Sequence, residues 1–181
     1  FTALQRSDAY RDVVPYYLLQ IEFHEGNYRY VVENGGKLVQ RAVPERRKEL
    51  ERVIAESWFR LGDFNKTIEH LDAFAAAGGE LDRDGSYLMG FSLYRTARYP
   101  EAAEYLRRAC GAEDALTQNA SYHLADCYLR AGDKRAAMHT FAMAADDRFD
   151  ATIAEDALFN YGKLQYELGG GAFNGAINVL T

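Results

Sequence analysis

Apolar side chains return every three or four positions along most of the chain and nowhere alternate over a strand-length stretch, so the pattern predicts helices throughout. Four short tracts break it: His24-Glu25-Gly26-Asn27-Tyr28, Arg60-Leu61-Gly62-Asp63-Phe64, Arg95-Thr96-Ala97-Arg98-Tyr99 and Arg130-Ala131-Gly132-Asp133-Lys134. Their closing residues lie 36, 35 and 35 positions apart. A fifth tract, Leu168-Gly169-Gly170-Gly171-Ala172-Phe173, ends 39 residues later with extra glycine. Each tract reads as a tight turn between two helices. Glycine there supplies the left-handed conformation that ends a helix, and the aromatic two residues on re-enters the core.

The pattern predicts helix pairs at about 12–25 and 28–41, 45–61 and 64–77, 84–97 and 99–110, 115–131 and 134–146, and 152–168 and 173–181. Asn34-Gly35-Gly36 is expected to interrupt the second of these helices, because glycine is a poor helix former. Matched positions flank the turns. Small residues (Ala55, Gly90, Ala125) stand seven ahead of the turn residue, where two helices must approach closely, and Trp58, Leu93 and Tyr128 follow them. Beyond the turns come Thr67, Ala102, Ala137 and Ala176, then Leu71, Leu106, Phe141 and Leu180 on the same face. One alignment of this kind arises by chance; a whole set at one period marks an internal repeat.

These positions resemble the tetratricopeptide repeat: a small residue, an aromatic or large apolar, Ala, a large apolar and Ala. One copy supplies Gly90, Leu93, Ala102, Leu106 and Ala109, and the next Ala125, Tyr128, Ala137, Phe141 and Ala144. The resemblance spans residues 12–181, with a slightly longer period than the family's and without its usual closing proline. It implies an all-α fold, a right-handed solenoid of antiparallel helix pairs in about five repeats: 12–44, 45–80, 81–114, 115–149 and an incomplete 150–181. Residues 1–11 read as the tail of a preceding helix or a linker, and both ends read as cut from a longer array.

The resemblance also implies that the first helix of each pair lines a concave surface. In that register stand Tyr16, Phe59, Arg60, Tyr87, Phe91, Tyr94, Arg95, Tyr122, Asp126 and Arg130, an alternation of rings and guanidiniums. Aromatic residues and Arg dominate binding energy at interfaces, and Arg pairs bidentately with carboxylates. Two readings stand side by side. Either these residues hold an acidic protein or peptide segment with an aromatic or aliphatic anchor, or the tyrosines pack between neighbouring helices and the arginines pair with Glu56, Asp126 and the turn acids. The carboxylate clamp of chaperone-binding relatives is not repeated here: Arg52/Glu56, Tyr87/Phe91 and Tyr122/Asp126 stand at its lysine and asparagine positions.

Composition narrows the classes further. The 181 residues are 48% hydrophobic and 27% charged, as in folded domains, and no apolar run is long enough to span a bilayer. A net charge of −6 argues against a general nucleic-acid binder. Cys110 and Cys127 are too few for a disulfide framework or a cysteine zinc site and read as buried thiols. The four histidines form no metal-binding pair; His123 and Asp126 share a helix face, but two ligands from one helix do not make a site. Gly169-Gly170-Gly171 lacks the Lys-Ser/Thr of a phosphate loop. The expectation is a non-catalytic interaction scaffold without cofactor or metal, whose partner is a protein or peptide rather than nucleic acid or membrane. The alternatives are a spacer or self-association module of a larger protein, and the regulatory part of an enzyme. Bacterial arrays that the chain resembles occur in both cytoplasm and cell envelope, so sequence does not choose a compartment.

Overall fold

The computed structural model describes residues 13–169. The expected second helix of the last pair and the tail at 1–11 lie outside them. The described residues are all-α, in two compact units that divide between Leu81 and Asp82.

Unit 1 holds α1 (Val14–His24), α2 (Tyr28–Val39), α3 (Pro44–Leu61) and α4 (Phe64–Ala76). Its core joins Leu19 of α1, Val31 of α2 and Leu50, Val53 and Ile54 of α3, with Trp58 and Phe23 packed at the margin. Between α3 and α4 the carboxylate of Glu51 meets His70 Nδ1 at 2.6 Å, so a charged residue that is itself buried keeps a partner.

Unit 2 holds α5 (Arg83–Arg95), α6 (Tyr99–Ala109), α7 (Ala115–Arg130), α8 (Lys134–Asp146) and α9 (Ala151–Glu167). Ala125, Ala137, Phe141, Ala144, Ala157 and Leu164 form a core shared by α7, α8 and α9. Five helices of the two units start on an aspartate whose side chain accepts a first-turn N–H: Asp63, Asp82, Asp114, Asp133 and Asp150. That contact satisfies one of the donors left over at a helix start.

The turns form where the tracts predicted them. Gly26, Gly62, Gly132 and Gly169 all have φ between 63° and 83°, and Ala97 takes the same left-handed conformation at φ 61° without being glycine. At Gly90 the reason for a small residue is visible. A Cβ there would stand 2.8 Å from Leu106 Cγ and 2.9 Å from its backbone nitrogen, so α5 and α6 touch through this position.

The expected break at Asn34-Gly35-Gly36 does not occur. The helix α2 runs unbroken from Tyr28 to Val39, and Gly35 is buried in it. A Cβ on Gly35 would lie 2.6 Å from Ile54, so the glycine is there for close packing of α2 on α3, and that packing outweighs its low helix propensity.

Two polar staples, 35 residues apart in sequence, tie the connections between successive pairs of unit 2. Arg83 Nε donates to the Ala109 carbonyl at 2.8 Å, and its guanidinium reaches Asp114 Oδ2 at 2.6 Å and Thr117 Oγ1 at 2.7 Å. The pairing holds the Asp114 carboxyl well below the usual carboxylate range. Gln118, fully buried, donates to the carbonyls of Ala144, Asp147 and Asp150 and accepts the Asp150 N–H at 2.7 Å.

Candidate functional site

In unit 2 the first helices of two successive pairs, α5 and α7, lie in contact, and seven of the ten sequence-selected residues fall on them. On α5, Tyr87 and Phe91 stand one helical turn apart with rings stacked at 5.7 Å. Phe91 and Tyr94 both face His123 of α7, at 4.9 Å and 4.7 Å between ring centroids. Tyr122 meets His123 on one side and reaches Phe141 of the core edge-on at 5.7 Å on the other. The rings therefore form one continuous layer from the surface of α5 to the core beneath α7.

Polar groups pin this layer. The Tyr87 hydroxyl donates to Asn119 Oδ1 at 2.6 Å. The Tyr94 hydroxyl donates to Asp126 Oδ2 at 2.8 Å, and the same oxygen accepts from Arg130 Nε at 2.7 Å. Burial pushes the Tyr87 phenol up to about 12, and burial followed by the Asp126 carboxylate does the same for Tyr94. Tyr122 is raised in the same direction by burial. Asp126 in turn raises Arg130.

Two guanidiniums cover the ring layer. Arg95 lies over Phe91 at 5.8 Å and Arg130 over Tyr99 at 4.6 Å. A cation above an aromatic face is attracted by the ring quadrupole. Arg95 and Arg130 are both exposed, Asp126 only partly so. The pairing of Arg130 with Asp126 is the ion pair anticipated from the sequence, and Arg60 forms its counterpart with Glu56 at 3.4 Å.

The remaining three residues belong to unit 1 and do not gather. Tyr16, near the start of α1, donates its hydroxyl to Glu49 and lies under Arg46 at 5.3 Å. Burial, then Glu49, pushes its phenol up to about 12. Phe59 and Arg60 sit at the far end of α3, ten residues beyond Glu49 and so about 15 Å along the helix. There Phe59 packs edge-on against Phe64 at 5.8 Å.

His123 is the member of the site that side-chain register did not select. Its imidazole is walled by Phe91, Tyr94 and Tyr122, its Nδ1 is buried with no hydrogen-bond partner among the described residues, and burial depresses its pKa to about 4. It is neutral at pH 7. The only sequence signal was its place beside Tyr122 and three residues before Asp126.

Among the described residues no group of three or more His, Cys, Asp or Glu is arranged to hold a metal ion, and no helix is long and apolar enough to cross a membrane. Burial raises the pKa of Cys110 and brings that of Cys127 to about 12, so both thiols stay protonated.

Residues 119–147 match the family model of the tetratricopeptide repeat, the stretch that carries most of α7 and all of α8. In fold the chain is similar to three solved structures. YrrB, described as a TPR protein with an unusual peptide-binding site, has 15% identity and a TM-score of 0.74 over 99% of this chain and 88% of that one. MamA has 17% identity and a TM-score of 0.67 over 89% of each chain. A putative kinesin light chain of Podosopora anserina with nearly identical TPR-like repeats has 14% identity and a TM-score of 0.59 over 94% of this chain and 92% of that one. No match was found among curated proteins. One tetratricopeptide repeat is thus matched at residues 119–147, and the described residues share with these structures an all-α fold of antiparallel helix pairs.

Proposed function

We propose that this chain is a non-catalytic scaffold that holds a protein or peptide segment on the α5–α7 face of unit 2, and that the segment is acidic with an aromatic or aliphatic anchor. The observation that supports it is the pairing of an exposed guanidinium, Arg95, with a ring layer that begins at Phe91 and continues into the core. A guanidinium stacked on a ring keeps its donors in one plane, the geometry that meets a carboxylate bidentately. The rings beside it are already ordered by Asn119 and Asp126, so an apolar anchor laid on them meets a surface that loses little entropy on binding. Arg130 stands beside this surface, paired with Asp126. Phe59 and Arg60 would belong to a separate contact. Similarity to a fold that includes a described peptide binder is consistent with this reading.

Selection of random displayed peptides on the immobilised chain tests it. Sequences that place Asp or Glu near an aromatic, Leu, Ile or Met are expected to be enriched, and the Arg95→Glu/Arg130→Glu variant is expected to lose them with its helicity unchanged. No enrichment, or enrichment indifferent to the charge reversal, overturns the assignment.

A spacer or self-association role is the second reading. It is favoured by the exposed Leu158, Phe159 and Leu168 on and beside α9, apolar surface that association would cover. Sedimentation equilibrium over a wide concentration range separates the two, since only self-association makes the mass rise with concentration.

A further inference from the structure

We infer that unit 1 carries a small-ligand site of its own, a recess that binds an organic carboxylate with a short, branched apolar body. The site is separate from the α5–α7 face, and neither depends on the other.

The recess opens where the start of α1, the end of α2 and the start of α3 meet, and has a volume of about 140 Å³. Leu38, Val43 and Leu50 give it an apolar lining, and the ring of Tyr16 forms a wall. Among the described residues, the charged side chains lining it are Arg41 and Arg46. Arg46 and Leu50 stand four residues apart on one face at the start of α3, and Val43 precedes them as the extended residue that caps the helix. The carboxylate nearest in the hydrogen-bond network, Glu49, is taken by the Tyr16 hydroxyl, while Arg46 lies over the same ring at 5.3 Å. Neither Arg41 nor Arg46 forms an ion pair with another described residue.

Chemistry and size define the ligand. Two cations of one sign beside an apolar wall repel each other and favour an anion, and Arg is the side chain best matched to a carboxylate. Beyond the two guanidiniums, Leu38, Ala42, Val43 and Leu50 present apolar surface, which favours an anion with its own hydrophobic body over a hydrated inorganic ion. Sites for drug-sized molecules occupy roughly 300–1,000 Å³, so a recess of about 140 Å³ has room for one leucine-sized group and its carboxylate.

The test is a chemical-shift titration of the full chain with 4-methylpentanoate, with 4-methylpentanamide and with acetate. The acid is expected to shift, saturably, the amide resonances of Leu38, Arg41, Ala42 and Arg46 through Leu50, whereas the uncharged amide and the body-less acetate shift them far less. Arg46→Gln and Arg41→Gln are each expected to weaken the acid by at least about tenfold, the loss of one charge-assisted contact. Ala42→Leu, which fills the recess without changing charge, is expected to abolish the shifts in a chain that keeps its thermal unfolding transition. Acid and amide binding alike, acetate binding as well as the acid, or shifts confined to other residues would overturn the site. None of these results bears on peptide selection at α5–α7.

Discussion

Tyr94 of α5 and Arg130 of α7 donate to one oxygen, Oδ2 of Asp126, at 2.8 Å and 2.7 Å. One carboxylate therefore joins the first helices of two successive pairs and fixes the ring on which a partner would rest. A double-mutant cycle of Tyr94→Phe and Asp126→Ala should give a coupling of about 1–2 kcal/mol in urea unfolding, the range for a hydrogen bond to a charged, partly buried group. A coupling near zero would mean that the bond is replaced by water in solution.

The titrating groups of the site predict how stability varies with pH. Tyr87 and Tyr94, with Tyr16 in unit 1, are raised from 10.0 to about 12. A raised phenol favours the folded state while protonated, so its contribution is complete below pH 10 and is lost as pH climbs towards 12. His123 acts at the other end. Its pKa falls from 6.5 to about 4, so its contribution is complete above pH 6.5 and is lost as pH falls through 4. Unfolding midpoints measured across pH should decline on both sides. His123→Phe should flatten the acid limb and Tyr87→Phe should soften the alkaline one.

Gln118 is expected to be the costliest polar position in unit 2. Replacing it with Leu strands the carbonyls of Ala144 and Asp147 and the N–H of Asp150, at about 3 kcal/mol in total, while the Asp150 carbonyl keeps the N–H of Ala154. Amide exchange should show the loss first at residues 144–150, the connection it ties. A stability unchanged within about 0.5 kcal/mol would show that water takes over its bonds.

Backbone conformation at the turns gives opposite signs for two exchanges between Ala and Gly. Ala97→Gly should raise stability by about 0.5–1 kcal/mol, because a side chain at φ 61° is strained and glycine is not. Gly132→Ala, at φ 83° in the matching turn, should lower it by about 1 kcal/mol. Inside a helix the cause is different. Gly90→Ala should cost about 1–3 kcal/mol by pushing α5 off the backbone of Leu106. Calorimetric melts of the three variants would rank them.

Much of this array could be read before any coordinates. The turn tracts placed the ends of α2 through α9 within a few residues, because left-handed turn residues and aspartate caps are local chemistry that each helix carries in its own sequence. The small residues at Ala55, Gly90 and Ala125 were legible for the same reason: a period of about 35 repeats one packing solution. Where local preference and packing disagreed, as at Gly35, only the structure showed that contact with Ile54 holds α2 intact.

The site divides in the same way. The resemblance to the tetratricopeptide repeat selected Tyr87, Phe91, Tyr94, Arg95, Tyr122, Asp126 and Arg130, through the register it implies for the first helix of each pair. It could not select His123 or Asn119, whose importance arises from rings and hydroxyls that arrive from another helix. Nor could it find Arg83 and Gln118, which serve the chain by reaching backbone groups at least 26 residues away. The sequence by itself determined the helices, their turns and the faces they present. Tertiary structure decided which polar atoms meet, because a hydrogen bond forms only where two separate stretches bring donor and acceptor within about 3 Å.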